Sequence, residues 1–301
     1  MNHLSIHLAN LLSIAQSSIM KPKSHPLIIW PLAGIAFLLC PKLNSVPKVE
    51  KNLSYGPHER QVMDVYWDSG YENAPIVFTI HGGGFKKGDK VYCNADMRKL
   101  YAGKGCIVVS PNYRLVGKGE PITKDDCALD AAMAVAYLQA NAKRFGGDPK
   151  RILSTGSSAG GYISAWIAYR KNWDWPSYAR HKPRKLNIVG WFGDSPFLPP
   201  DLISQVGPGD PPGFVLYGGK REHPATPASQ GHDVQSALRK SKVWSKMVYV
   251  DFLGHVPAKR ILFSPQTRDR ETHQAYLQFL DMVCLGKGNP KAGELIEVAG
   301  R

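Results

Sequence analysis

Two glycine-framed segments carry residue types that could do chemistry together. Residues 151–164, RILSTGSSAGGYIS, contain Gly156-Ser157-Ser158-Ala159-Gly160, a G-x-S-x-G pattern between an apolar run and a helix-compatible one. That context predicts a sharp strand-to-helix turn presenting the Ser158 hydroxyl at a helix N-terminus. A free serine hydroxyl is a poor nucleophile, so it needs an imidazole to take its proton and N–H donors for the developing oxyanion. Upstream, HGGGFKKGDK (residues 81–90) leaves the apolar run Ile76–Ile80 through three residues without side chains. A glycine triplet can be merely a tight turn. Placed after a strand and before the serine segment, it instead offers bare amides to an anion or a developing negative charge.

The elements that must hold these segments alternate. QVMDVYW, PIVFTIH, CIVVSPNYRL, RILSTG, LNIVGWFGD, GFVLYGG and KMVYVDFLG read as strands. Residues 94–103, DDCALDAAMAVAYLQANAKRF (125–145), AGGYISAWIAYR, ASQGHDVQSALRK and RETHQAYLQFLDMVCL read as helices, the second stopped by Gly146-Gly147 and Pro149. Strands alternating with helices predict a mainly parallel sheet covered on both faces. Loops 171–185, with Trp173, Trp175 and Tyr178, and 195–212, rich in proline and glycine, break the alternation. They are the candidate pocket walls, and too short for a separate lid.

YGPHERQVMDVYW, HGGGFKKGDK, NYRL, FGGDPKRI and GSSAGG resemble the carboxylesterase branch of the α/β-hydrolase family, near its feruloyl and acetylxylan esterase-like members and the hormone-sensitive-lipase-like group. The resemblance runs from about Leu53 to Leu285. It implies an α/β-hydrolase fold with an eight-stranded, mostly parallel sheet, a Ser-acid-His triad, and ester hydrolysis through an acyl-enzyme without metal or cofactor. The oxyanion donors would be the amides of Ala159 and of Gly83 and Gly84, beside Gly82. Lipase-like relatives often place aspartate before the nucleophile, where this chain has Ser157; this favours the feruloyl-esterase-like group, a resemblance that implies short-chain or aryl (acetyl- or feruloyl-type) esters.

The family order of nucleophile, acid and histidine then names the partners. His255, in VDFLGHVPAK, follows a strand in the family's G-H context and is the expected base. His81 is expected to brace the glycine loop, while His232 and His273 lie on predicted helices. The acid is the weak point. Where the family carries aspartate, this chain reads Lys220-Arg221-Glu222-His223-Pro224. Glu222 is the carboxylate of that turn, with Asp194 and Asp251 as alternatives, or no acid at all. Asp125, Asp126 and Asp130 read as carboxylates favoured at a helix start. Trp173 and Trp175 could line an aryl pocket or simply pack their loop. A binding protein that keeps the fold without turnover, and a formamidase-type amidase, are the competing readings.

The whole chain bounds these expectations. Its 301 residues, 43% apolar, suffice for one large core. The formal charge of +14 favours acidic neighbours, but no run of five basic residues or aromatic-interleaved module marks nucleic-acid binding. Residues 1–47 read as a leader and linker, with MKPKSH as a basic region, LIIWPLAGIAFLLC (27–40) as an apolar one, and a cleavage point near Ser45; the apolar run is too short for a stable membrane span. A buried N-terminal hairpin or helix is the alternative. Residues 48–301 form the expected single catalytic domain, exported to the periplasm or medium and acting on a small-molecule or polysaccharide-linked ester. Of five cysteines, Cys40 falls in the leader, and Cys93, Cys106, Cys127 and Cys284 show no metal-ligand spacing. A disulfide among them is possible but unforced. Oligomeric state is left open.

Overall fold

In the computed structural model, residues 46–119, 121–290 and 295–300 are described. The leader-like segment with Cys40 lies outside them, save for residues 46 and 47. Nine strands form one sheet: β1 (Pro47–Ser54), β2 (Val62–Asp68), β3 (Ala74–Ile80), β4 (Ile107–Pro111), β5 (Gly147–Ser157), β6 (Ile188–Asp194), β7 (Gly213–Gly218), β8 (Ser245–Val250) and β9 (Leu295–Val298). Their spatial order is β1-β2-β4-β3-β5-β6-β7-β8-β9. β1 and β2 run antiparallel to their neighbours, and every pairing from β4–β3 onward is parallel.

The helices are α1 (Ala95–Gly103), α2 (Lys124–Asn141), α3 (Ala159–Tyr169), α4 (Pro200–Ile203), α5 (Ser229–Lys240) and α6 (Arg270–Leu285). Their starts follow side-chain chemistry. Asn94 accepts from Met97 N at 3.0 Å, Thr123 and Asp126 form a reciprocal capping box, and Asp269 accepts from Thr272 N. Side chains alternate across the sheet with period two. Ile76, Phe78, Ile80, Val109, Ile152 and Trp191 share one core with α2 and α3. Val77, Val108, Leu153, Phe192, Phe214 and Val248 share the other with α1 and α6. A strand buried on both faces reads as a continuous apolar run, as in β3, buried at all seven positions.

The expected eight strands are nine. β1 is polar and largely exposed, held chiefly by backbone pairing, and β9, with Ile296 buried, is only four residues long, so neither edge strand displays an extended apolar pattern. The expected helix 125–145 divides into α2 and a 3₁₀ turn, Ala142–Phe145, closed by Gly146 in the left-handed region. Cys93, Cys106, Cys127 and Cys284 are free and buried, with no disulfide among them. No helix among the described residues is long and apolar enough to cross a membrane.

Asp130 differs from its expected role. It does not serve the α2 N-terminus: fully buried, it takes Arg114 N at 2.9 Å, the Arg114 guanidinium at 2.8–3.1 Å and Gln61 Nε2 at 2.8 Å. The pair ties the NYRL loop, whose Tyr113 stacks on His81, to α2 and to the residue preceding β2. Removing one partner of such a pair strands a buried charge. Asp130→Ala should therefore lower unfolding free energy by about 3–5 kcal/mol in urea titration. Glu50→Ala, which breaks the exposed Glu50–Arg144 pair, should cost under about 1 kcal/mol; equal losses would refute this ranking.

Candidate active site

The candidate nucleophile sits where β5 passes into α3. Ser158 has φ 53° and ψ −118°, a conformation that costs an L-residue on the order of 1–3 kcal/mol and persists only where its surroundings enforce it. Ser158 N donates to Asp194 O at 2.8 Å, and Ser158 O accepts from Tyr162 N at 3.1 Å. The flanking glycines are required by packing. A Cβ at Gly156 would stand 2.3 Å from Gly160 O, and one at Gly160 would stand 2.3 Å from Ile80 O and 2.6 Å from His81 O. The start of α3 therefore rests directly on the backbone at the end of β3.

That backbone continues into the glycine loop. His81 is buried, stacks on Tyr113 at 4.2 Å between ring centroids, and lies with Nδ1 2.8 Å from Gly82 O. Burial lowers its pKa to about 4, so it is a neutral imidazole donating Nδ1–H to the Gly82 carbonyl. Tyr113 OH donates to His81 O at 3.0 Å. Gly83 has φ 111°, and a Cβ there would meet Lys87 O at 2.1 Å. The amides of Gly83 and Gly84 find no acceptor among the described residues. They are braced donors without a partner, at the wall of a cavity of about 950 Å³ that Ser158 and His255 also line.

His255 lies in the loop after β8, half-buried. Its Nδ1 is 3.2 Å from Thr226 Oγ1, and its ring stacks on His223 at 4.6 Å between centroids. Burial first, and the neighbouring His223 second, hold its pKa below the ordinary imidazole value. Glu222, the sequence-expected acid, is turned elsewhere: its carboxylate accepts from Ala228 N at the start of α5, and its energetic role there is that of a helix cap. Asp251 accepts from Gly300 N at 2.9 Å. Among the described residues no carboxylate bonds His255. Nothing in the composition of KREHPATP marks Thr226 or His223 as its contacts; only the path of the turn, with Arg221 at φ 55°, brings them there.

Asp194, the other alternative acid, has a different place. Its carboxyl is buried, accepts from Ala258 N at 3.2 Å, and burial raises its pKa well above the carboxylate range. Next to it Ser195 Oγ accepts from Val256 N at 3.1 Å. The end of β6 thus holds the nucleophile through the Asp194 carbonyl and the His255 loop through the Asp194 and Ser195 side chains. Trp173 and Trp175 stack on each other at 5.0 Å and do not line this cavity; its aromatic walls are Phe85, Tyr92 and Phe197. Among the described residues, no three His, Cys, Asp or Glu side chains gather as a metal site.

The chain is similar to known proteins in sequence and in fold. A stretch of 148 residues is 32% identical to a probable isoprenylcysteine alpha-carbonyl methylesterase of Arabidopsis thaliana, covering 46% of this chain and 34% of that protein. Another of 105 residues is 38% identical to a carboxylesterase of Mycobacterium tuberculosis, covering 35% and 32%. The chain thus spans about a third of the length of these curated relatives. Among solved structures, Thermogutta terrifontis esterase 2 phosphonylated by sarin superposes with a TM-score of 0.66 at 17% identity, covering 81% of this chain and 96% of that one. A truncated carbohydrate esterase from gut microbiota gives 0.61 at 17% identity, covering 73% and 92%. At such identities the likeness is one of fold. The BD-FAE family model matches residues 63–251, well over half of the sequence, and the chain belongs to this family of α/β hydrolases.

Proposed function

We propose that the protein is a serine carboxylic-ester hydrolase acting through an acyl-enzyme on short-chain or aryl esters. The observation that carries this reading is Ser158 held at φ 53° over the cavity of Gly83, Gly84 and His255; esterases among relatives and structural neighbours support it. His255 Nε2 takes the Oγ proton as Oγ bonds the ester carbonyl carbon, and the Gly83, Gly84 and Ala159 amides receive the oxyanion. Collapse of the tetrahedral adduct breaks the C–O bond, and the alcohol leaves with the proton from Nε2. A water then repeats the sequence on the acyl-enzyme, releasing the acid and restoring the Ser158 hydroxyl.

Thr226 makes this site unusual. A carboxylate only accepts, so it forces Nδ1–H and leaves Nε2 as the base; a hydroxyl can donate or accept, so it tolerates both tautomers and brings no charge to stabilise an imidazolium. The same observation favours a second reading, a ligand-binding protein of this fold without turnover. Release of p-nitrophenolate from p-nitrophenyl acetate separates the two. The hydrolase reading expects turnover at least about 10³ above Ser158→Ala; equal rates would leave the binding reading. A matched anilide tests the amidase alternative. An export leader within residues 1–47 belongs to the same proposal, and N-terminal sequencing of the mature protein checks it.

Two further outcomes follow from the histidine's surroundings. Thr226→Asp should raise kcat by about tenfold or more, since an orienting carboxylate is worth up to about 10⁴ elsewhere, whereas Glu222→Gln should leave kcat within about twofold. A collapse of kcat in Glu222→Gln would reinstate Glu222 as the acid. The acid limb of kcat/KM should fall below the ordinary imidazole value of about 6.5. A proton on His255 is disfavoured by burial and by His223, so His223→Ala should move that limb to higher pH; movement to lower pH contradicts the assignment.

A further inference from the structure

A second cavity, of about 680 Å³, opens at the far end of α3 from Ser158, between that helix end, the 171–185 loop, the start of β6 and Pro208–Pro212. Arg170, Lys171, Arg184 and Lys185 line it. The segment 170–185 carries six lysines and arginines against one carboxylate, Asp174. Arg170 lies over the Trp166 ring at 4.9 Å, and the Asp210 carboxylate joins the cavity lining. Lys171 pairs with Asp210, and Arg170 meets Asp174 only at 3.9 Å. Arg184 and Lys185 are exposed and have no carboxylate partner among the described residues.

The loop that presents them is anchored. Trp173 packs edge-on against Trp166 and flat against Trp175, whose Nε1 donates to Pro183 O at 3.1 Å. Gln139 Nε2 donates to Lys185 O at 3.3 Å, and Gln139 Oε1 accepts from Asn187 N at 2.7 Å. Arg184 and Lys185, without a carboxylate partner on an anchored stretch of backbone, present charge to an anion, and an arginine fork matches a carboxylate.

We propose that this cavity binds a carboxylate-bearing polysaccharide, the carrier of the ester group cleaved at Ser158. The proposal rests on the ester-hydrolase reading for the role of the polymer, but not for its binding. α3 has eleven residues, which at about 1.5 Å each separates the two cavities by roughly 16 Å. A single small ester therefore cannot occupy both, whereas a polymer with spaced esters can be held at one and cleaved at the other, raising the effective ester concentration at Ser158. Nucleic acid, the other common polyanion, is bound through successive exposed stacking aromatics; here Trp173 is the one aromatic in the cavity lining, and Trp175 covers one of its faces.

The test is affinity electrophoresis of the full chain through gels containing polygalacturonate, neutral arabinoxylan or a single-stranded oligonucleotide. Polygalacturonate should retard the protein, less so as salt rises, and neutral arabinoxylan should not. Arg184→Glu/Lys185→Glu should weaken retardation at least about tenfold, while Lys240→Glu/Lys242→Glu, with the same change in net charge, should not. Arg184→Gln/Lys185→Gln should show an intermediate loss, and p-nitrophenyl acetate turnover should stay within about twofold in all three. No retardation by polygalacturonate, equal loss in the Lys240/Lys242 variant, or stronger retardation by the oligonucleotide overturns the proposal. Retardation that the Arg184/Lys185 variant loses sustains the binding site even where the wild type hydrolyses no ester, so failure of the ester reading shows separately.

Discussion

The first turn of α3 lies on the last carbonyls of β3 with no side chain between them. Gly160 makes this contact: a Cβ there would overlap Ile80 O and His81 O, and one at Gly156 would overlap Gly160 O. From this approach follow the left-handed Ser158, the proximity of its hydroxyl to the glycine loop, and the common cavity wall. Any larger residue would lift the helix from the sheet and separate Ser158 from the amides of the glycine loop, because close-packed backbone yields little. The strain at Ser158 is offset by bonds on both sides of it, from its amide to β6 and from its carbonyl to Tyr162.

A second constraint comes from the neighbouring strand. Asp194 receives the Ser158 amide on its carbonyl and the Ala258 amide on its carboxyl, while Ser195 holds the Val256 amide. Ser195 and Val256 both adopt positive φ, a costly state for either residue type and especially for β-branched valine. Burial raises the Asp194 pKa, which disfavours a negative charge beneath the site. The histidine loop and the Ser158 turn are thereby referred to one strand end, although His255 follows Ser158 by almost a hundred residues.

What the sequence displays is what local spacing determines. G-x-S-x-G and the glycine triplet are legible because their glycines answer to backbone approach, and the parallel core because doubly buried strands must be apolar throughout. What it conceals depends on loop path and long-range charge. Glu222 carries the right functional group at about the right place, yet a turn of a few residues swings it onto the Ala228 amide and leaves Thr226 on His255. Asp130 looks like any acid near a helix start until Arg114 and Gln61 arrive from distant segments. The polar edge strand β1 is invisible to a reading based on apolar period, because its contribution is chiefly backbone pairing, and β9, at four residues, is too short to show a period.

The central claim is that this elbow makes Ser158 a nucleophile even though His255 is oriented by a hydroxyl. Intact-mass spectrometry after incubation with a fluorophosphonate measures that directly. The account predicts one covalent adduct, mapped by peptide digestion to Ser158, forming in the wild type and absent in both Ser158→Ala and His255→Ala. An unmodified wild type under conditions that label a known serine esterase, or an adduct on another residue, would contradict it.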